Sequence, residues 1–272
     1  MFDYHVHTTF SVDCTTPIDA SCRSAIENGV TEIAFTDHLD SQPADMGFGF
    51  YQPSEYFAEI DRVRDLYRDQ LVILAGVEVD YHDDTREVVA QFMAEWGPRY
   101  DFVIGSVHYG EKGEIIFPEF FEGRSLDNVM YPYFDQVERA VETGWFDTIG
   151  HLDIPKRYMP ATHQDYDPIR YRDRLMDLFS VFIANGVAFE INTSGIRQRP
   201  RTSMPGPAIV NWYRLAGGTR ITTGSDSHAA QTVGAGIAKS LKMLQLCGFE
   251  SVLSYRNRTD TPVDIESLKP TG

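Results

Sequence analysis

The chain has 272 residues, of which 42% are hydrophobic, 24% charged and 12% aromatic, the balance of a globular enzyme with room for one large core. A formal net charge of −16 argues against nucleic acid as a partner, since no basic stripe of clustered Lys and Arg is present. No apolar run approaches the roughly 20 residues of a membrane span, MFDYHVHTTF lacks the basic and apolar regions of a signal peptide, and Cys14, Cys22 and Cys247 are too few for a disulfide framework, so a cytoplasmic location is expected.

The expected elements alternate along the chain. A strand at 2–7 (FDYHVH) precedes a helix at 17–28, and a strand at 32–36 (EIAFT) precedes a helix at 54–69. A strand at 71–79 (LVILAGVEV) precedes a helix at 84–96, and a strand at 101–107 (DFVIGSV) precedes a helix at 127–143. A strand at 146–151 (FDTIGH) precedes a helix at 169–185, a strand at 187–192 (VAFEIN) precedes a helix at 206–215, and a strand at 219–223 (TRITT) ends the series. Asn28-Gly29 and Asn185-Gly186 read as helix stops, because glycine tolerates the left-handed position after a helix. Strands alternating with helices of this length indicate parallel βαβ units and an α/β fold. Seven strands in one uninterrupted series suggest a barrel, with an open doubly wound sheet as the alternative. With no linker, repeat or low-complexity stretch, residues 1–272 read as one domain.

The chemistry gathers where the strands end. His5 and His7 are two apart on a strand and so share a face. Asp13 follows in the next loop. His38 ends the second strand, Glu78 the third, His108 the fourth and His151 the fifth, and Asp226 and His228 repeat the two-apart spacing after the seventh. Six of the eight histidines thus occupy the edge where parallel α/β folds collect ligands and catalytic groups, which points to metal binding. His82 and His163 lie in polar loop segments and read as solvated surface residues. Imidazole with carboxylate, and no cysteine cluster, suits zinc, manganese or iron.

The motifs HVH, TDH, GVE, SVH, GHLD and GSDSH, in that order, resemble the ligand series of the polymerase-and-histidinol-phosphatase (PHP) superfamily. Within it the chain is most similar to the stand-alone histidinol-phosphate phosphatases, through FVIGSVHY, GHLDIPKRY, EINTSGIR and GSDSH. The resemblance runs from residue 2 to about residue 240. It implies a distorted (β/α)7 barrel with two or three divalent cations at the carboxyl end of the strands. His5, His7, Glu78 and Asp226 would hold the first cation, Glu78, His108 and His151 the second, with Glu78 bridging, and Asp13, His38 and His228 the third. Some relatives have histidine where this chain has Asp13.

Arg157 and Arg197 match the positions that hold the substrate phosphate in the family, and arginine suits bidentate phosphate binding. Bound cations would outweigh the three carboxylates and make the pocket positive inside an acidic protein. The implied reaction is hydrolysis of L-histidinol phosphate, with Asp226, Glu78, Arg157 and Arg197 as catalytic residues, in-line attack of a hydroxide on phosphorus and no phosphoenzyme. Asp153 and Asp226 are candidates for leaving-group protonation, and Asp153 reads equally well as a partner of His151. The loops at 40–51 and 109–123 mix acidic and aromatic residues and could form the wall for a cationic leaving group. Another small phosphomonoester is the rival substrate. A polymerase-associated phosphodiesterase module and a non-catalytic metal-binding protein are further alternatives, against which stand the acidic balance and the complete ligand set.

Overall fold

Short runs rich in β-branched and aromatic residues pack edge to edge as strands, and helices with one apolar stripe cover them. The computed structural model describes residues 1–163 and 166–268. Its strands β1 (Phe2–Val6), β2 (Glu32–Phe35), β3 (His38–Leu39), β4 (Val72–Asp80), β5 (Phe102–Ser106), β6 (Thr148–Ile149), β7 (Ala188–Asn192) and β8 (Ile221–Gly224) pair parallel throughout. The order is β1-β2-β4-β5-β6-β7-β8, with β3 prolonging the line of β2 alongside β4.

The sheet curls until β8 meets β1. Val6 and Ser227 form a parallel bridge, in which the His7 N–H donates to the Ser227 carbonyl at 2.9 Å and the Ser227 N–H to the His5 carbonyl at 3.3 Å. This seam nearly closes a seven-membered barrel and ties the chain segments of His5, His7, Asp226 and His228 together. Around it lie α1 (Ile18–Glu27), α2 (Pro53–Tyr67), α3 (Arg86–Glu95), α4 (Leu126–Glu142), α5 (Pro155–Tyr158), α6 (Arg172–Asn185), α7 (Ser194–Arg197), α8 (Pro207–Leu215) and α9 (Ile237–Leu246). Gly29 and Gly186 have φ of +70° and +65°, as the two Asn-Gly stops require. One cluster of buried apolar residues draws on the barrel strands and on most of these helices.

Three features depart from the sequence reading. β6 spans two residues instead of six. The Asp147 side chain, not a backbone carbonyl, takes the Val103 N–H at 2.8 Å, and His151 leaves the extended region at φ +25°. No element is expected after residue 223, yet α9 and an antiparallel hairpin follow, β9 (Ser251–Arg256) and β10 (Thr259–Asp264). Asn257 and Arg258 both have positive φ, the conformation of a two-residue hairpin turn. This hairpin covers the amino end of the barrel. The Tyr255 N–H donates to the Tyr4 hydroxyl at 2.9 Å, its ring lies 4.9 Å from that of Phe102, Arg256 pairs with Glu32, and Arg258 with Asp147. The opposite, carboxyl end stays open.

Candidate metal centre

Glu78 sits in the middle of that open end, 1% exposed. Its Oε2 lies 3.1 Å from His5 Nε2, 3.4 Å from His7 Nε2 and 3.1 Å from His38 Nδ1. Its Oε1 lies 3.0 Å from His151 Nε2 and 3.7 Å from His108 Nε2, and accepts the Ser106 hydroxyl at 2.5 Å. One carboxylate therefore faces five imidazoles, three with one oxygen and two with the other. Asp226 Oδ1 is 3.7 Å from His7 Nε2 and 3.4 Å from His228 Nδ1. Asp13 Oδ2 stands at the rim, 3.1 Å from His228 Nε2 and 3.9 Å from His38 Nε2, on a side chain 50% exposed. All nine residues singled out as ligands thus come together.

The local backbone is bent to achieve this. His151 and Asp226 have positive φ without being glycine, a conformation that costs energy and concentrates at functional sites. Burial alone would push the Glu78 carboxyl up, but the surrounding imidazoles, His5 and His38 foremost, hold it well below the ordinary range. Asp226 is held low against burial in the same way, chiefly by Arg157 and His5. Burial pushes His151 down; at His108 the Asp80 carboxylate overrides burial and brings the imidazole up to about 10.

Whether these residues fit a cation can be judged from their unsatisfied atoms. Among the described residues, His5 Nε2, His7 Nε2, His38 Nδ1 and Glu78 Oε2 are buried without a hydrogen-bond partner, although such atoms are normally paired. Four groups offer ligand atoms all within 4.8 Å of one another: His5, His7 and Asp226; His5, Glu78 and His151; His38, Glu78 and His108; and His7, His38 and His228. Neutral imidazole and carboxylate converging this closely are the donors of a divalent transition ion, and they fit it. His38 falls into two of these groups, through Nδ1 toward Glu78 and Nε2 toward Asp13.

Arg157 on α5 and Arg197 on α7 line the same cavity, of about 900 Å³. Arg157 donates to Gln198, with Nη1 3.4 Å from Asp226 Oδ2. Arg197 spends two donors on backbone, reaching the Ala235 carbonyl at 3.2 Å and the Ser225 carbonyl at 2.6 Å. Of the six acids in the loops at 40–51 and 109–123 (Asp40, Asp45, Glu111, Glu114, Glu119 and Glu122), only Asp40 and Asp45 line the cavity, beside Met46, Ile115 and Phe117. Glu114 instead pairs with Arg124.

The PHP domain family matches residues 3–194. The chain belongs to the PHP family. It is 32% identical to a probable histidinol-phosphatase of Deinococcus radiodurans over 96% of this chain and 98% of that one. It is 30% identical to the histidinol-phosphatase of Lactococcus lactis over 93% of each. The crystal structure of histidinol phosphate phosphatase from Lactococcus lactis, complexed with zinc, L-histidinol and phosphate, superposes with a TM-score of 0.86 at 26% identity, covering 96% of this chain and 98% of the other. The barrel with its site at the carboxyl mouth is thus the PHP fold.

Three expectations about single residues need correction. His82 is not solvated but 2% exposed: its Nδ1 accepts the Asp84 N–H at 3.2 Å and its Nε2 pairs with the Gly110 carbonyl at 3.1 Å, which anchors the loop after β5. His163 is half-buried against the Arg124 carbonyl at 2.8 Å. Asp153 bonds Lys156 at 2.7 Å and lines a separate cavity beyond α5, so it does not reach the reacting centre. The residues behind the ligands are not among those expected from the sequence. Asp80 takes His108 Nδ1 at 3.1 Å, Ser11 takes His7 Nδ1 at 3.0 Å, and Glu190 lies behind His5. Asp80 was within reach, since it stands two residues after Glu78 on one strand and shares its face.

Proposed function

We propose that this PHP protein is a histidinol-phosphatase, a metal-dependent phosphomonoesterase that hydrolyses L-histidinol phosphate to L-histidinol and phosphate. The observation that carries the reading is one cavity in which a histidine–carboxylate cluster, two guanidinium groups and two further acidic side chains, Asp40 and Asp45, face one another. His5, His7, Glu78 and Asp226 would hold one cation, Glu78, His108 and His151 a second, and Asp13, His38 and His228 a third. Zinc is the favoured ion, with manganese and iron as the other members of its donor class. When bound, such ions supply Lewis-acid charge and lower the pKa of bound water.

The chain's own residues do the rest. Arg157 and Arg197 orient the phosphoryl group and neutralise its oxygens, and Gln198 and the backbone carbonyls keep both guanidiniums in place. Asp226, held ionised by Arg157 and the histidines, serves as ligand and not as proton donor. The leaving alcohol points toward the loop after β3. Among the described residues no hydrogen bond reaches the Asp40 carboxylate, and Asp45 accepts the Tyr109 hydroxyl at 3.1 Å and the Gly47 N–H at 2.8 Å. Around the strand order this loop is separated by β4 and β5 from the helices that carry the arginines. The cavity thus has a cationic and an anionic pole, suited to an ester with phosphate at one end and an amine at the other.

The test is a screen of metal-loaded protein against L-histidinol phosphate, imidazole-glycerol phosphate, a sugar phosphate and a nucleoside monophosphate. L-Histidinol phosphate should give the highest kcat/KM. An equal or higher value for any other ester would leave a metal-dependent phosphatase of different substrate.

A further inference from the structure

β7 carries a carboxylate into the barrel where its neighbours Ala188, Phe189 and Ile191 are apolar. Glu190 is 1% exposed, and Gly224 makes room for it. A Cβ on Gly224 would stand 2.1 Å from Glu190 Oε1. A buried carboxylate is costly unless its oxygens are occupied, and these oxygens are. Oε1 lies 2.7 Å from His5 Nδ1, while Oε2 accepts the His151 N–H at 2.9 Å and the Asn192 side-chain amide at 3.0 Å.

Resting on the metal reading above, we infer that Glu190 is the positioning residue of this centre: one carboxylate fixes the tautomer of His5 and the strained backbone of His151. The His151 N–H and the Asn192 amide can only donate, so Glu190 is the acceptor throughout and His5 carries its proton on Nδ1. That leaves the Nε2 lone pair of His5 aimed at the space beside Glu78, where it is 3.1 Å from Oε2. His151 sits at φ +25°, and its N–H points at Glu190 instead of joining the ladder. Without that acceptor the turn carrying His151 Nε2 loses its anchor. The influence extends to a third residue. Asn192 Oδ1 lies 2.6 Å from the Ser194 hydroxyl, which is 2.9 Å from Asp226 Oδ2. His5, His151 and Asp226 come from three strand ends, and Glu190 joins them from beneath without facing the cavity. Carboxylates behind ligating histidines raise their basicity and fix their orientation.

The experiment compares Glu190→Gln with the wild type by competition titration of zinc into apoprotein, with activity followed as zinc is raised. The variant should bind zinc about 10- to 100-fold more weakly and regain much of its kcat at saturating zinc. In the zinc-loaded wild type, ¹⁵N spectra of labelled histidine, assigned with a His5→Asn variant, should show His5 protonated at Nδ1 and ligated at Nε2. This second measurement decides the matter if Glu190→Gln does not fold. Unchanged zinc affinity in the variant, or His5 ligated through Nδ1, overturns the role of Glu190 while the metal centre stands. A wild type that binds no zinc removes the parent reading instead.

Discussion

Arg157 Nη1 lies 3.4 Å from Asp226 Oδ2, so a guanidinium of the cavity wall leans on a carboxylate of the histidine cluster. Charge for the phosphate and charge for the cations are thereby coupled, yet the two arginines are held differently. Arg157→Ala and Arg197→Ala should each cost about 2–5 kcal/mol in kcat/KM, as for one side of a buried charge pair, with metal content unchanged. Arg197→Ala should also lower Tm, because its guanidinium staples the Ser225 and Ala235 carbonyls. Near-wild-type kcat/KM in both variants would make them structural arginines.

Glu78 divides its two oxygens between five imidazoles. His5→Ala, Glu78→Ala and Asp226→Asn should each abolish turnover with circular dichroism near wild type, and Glu78→Ala should lose the most metal. Metal analysis of wild type prepared without chelators should give two to three ions per chain. One ion or none in folded, metal-supplemented protein sinks the ligand assignment.

Chelation should destabilise the fold as well as stop turnover. Among the described residues His5 Nε2, His7 Nε2, His38 Nδ1 and Glu78 Oε2 are buried without a hydrogen-bond partner, so a bound cation offsets their desolvation. At 100 to 1,000 times Kd each site adds about 3–4 kcal/mol. Tm measured by calorimetry should fall with EDTA and recover with zinc; an unchanged Tm argues that the cluster is pre-paired by protons alone.

Much of this was legible because periodicity and chemistry coincided. Six of the seven apolar runs ended in a His, Asp or Glu motif, so the α/β class and the ligand edge could be read together. What stayed hidden depends on contacts distant in sequence. Glu190 looks like an ordinary strand residue until the sheet curls and brings His5, 185 positions away, to its Oε1. His82 reads as polar loop until Gly110 folds over it. The C-terminal hairpin has weak alternation and a non-glycine turn, and is held by partners such as Glu32 and Asp147 from the far side of the chain. Shared strand faces, by contrast, were there to be used, as Glu78 and Asp80 show.

Asp147, beneath β6, offers a pH test away from the metal cluster. Burial pushes its carboxyl up from 3.8 to about 6, despite the Arg258 guanidinium and the Val103 N–H it accepts. A folded-state value above the unfolded one means that the folded protein binds more protons between them. This contribution to stability is therefore complete below about pH 4 and lost as pH rises to about 6, by roughly 2–3 kcal/mol. Denaturant unfolding at fixed metal should show the advantage of wild type over Asp147→Asn shrinking from pH 4.5 to 7. An advantage that grows with pH would mean that the Arg258 pair outweighs burial.

The anionic pole of the cavity sets the substrate. Asp40 lines the cavity with no hydrogen bond among the described residues, its Oδ2 packed so close to Gly47 that a Cβ there would approach within 1.8 Å. A carboxylate left free but held in place is suited to receive an ammonium from the ligand. Asp40→Asn keeps the shape and removes the charge. It should cost about 1.5–3 kcal/mol in kcat/KM for L-histidinol phosphate, the worth of a hydrogen bond to a charged group, mostly through KM. For imidazole-glycerol phosphate, which has hydroxyl in place of the amine, the same change should leave kcat/KM level or raise it. Asp45→Asn should act in the same direction but less, since Tyr109 and Gly47 already occupy its oxygens. A loss of equal size for both esters would place Asp40 in the structure of the loop and leave the amine without an assigned partner.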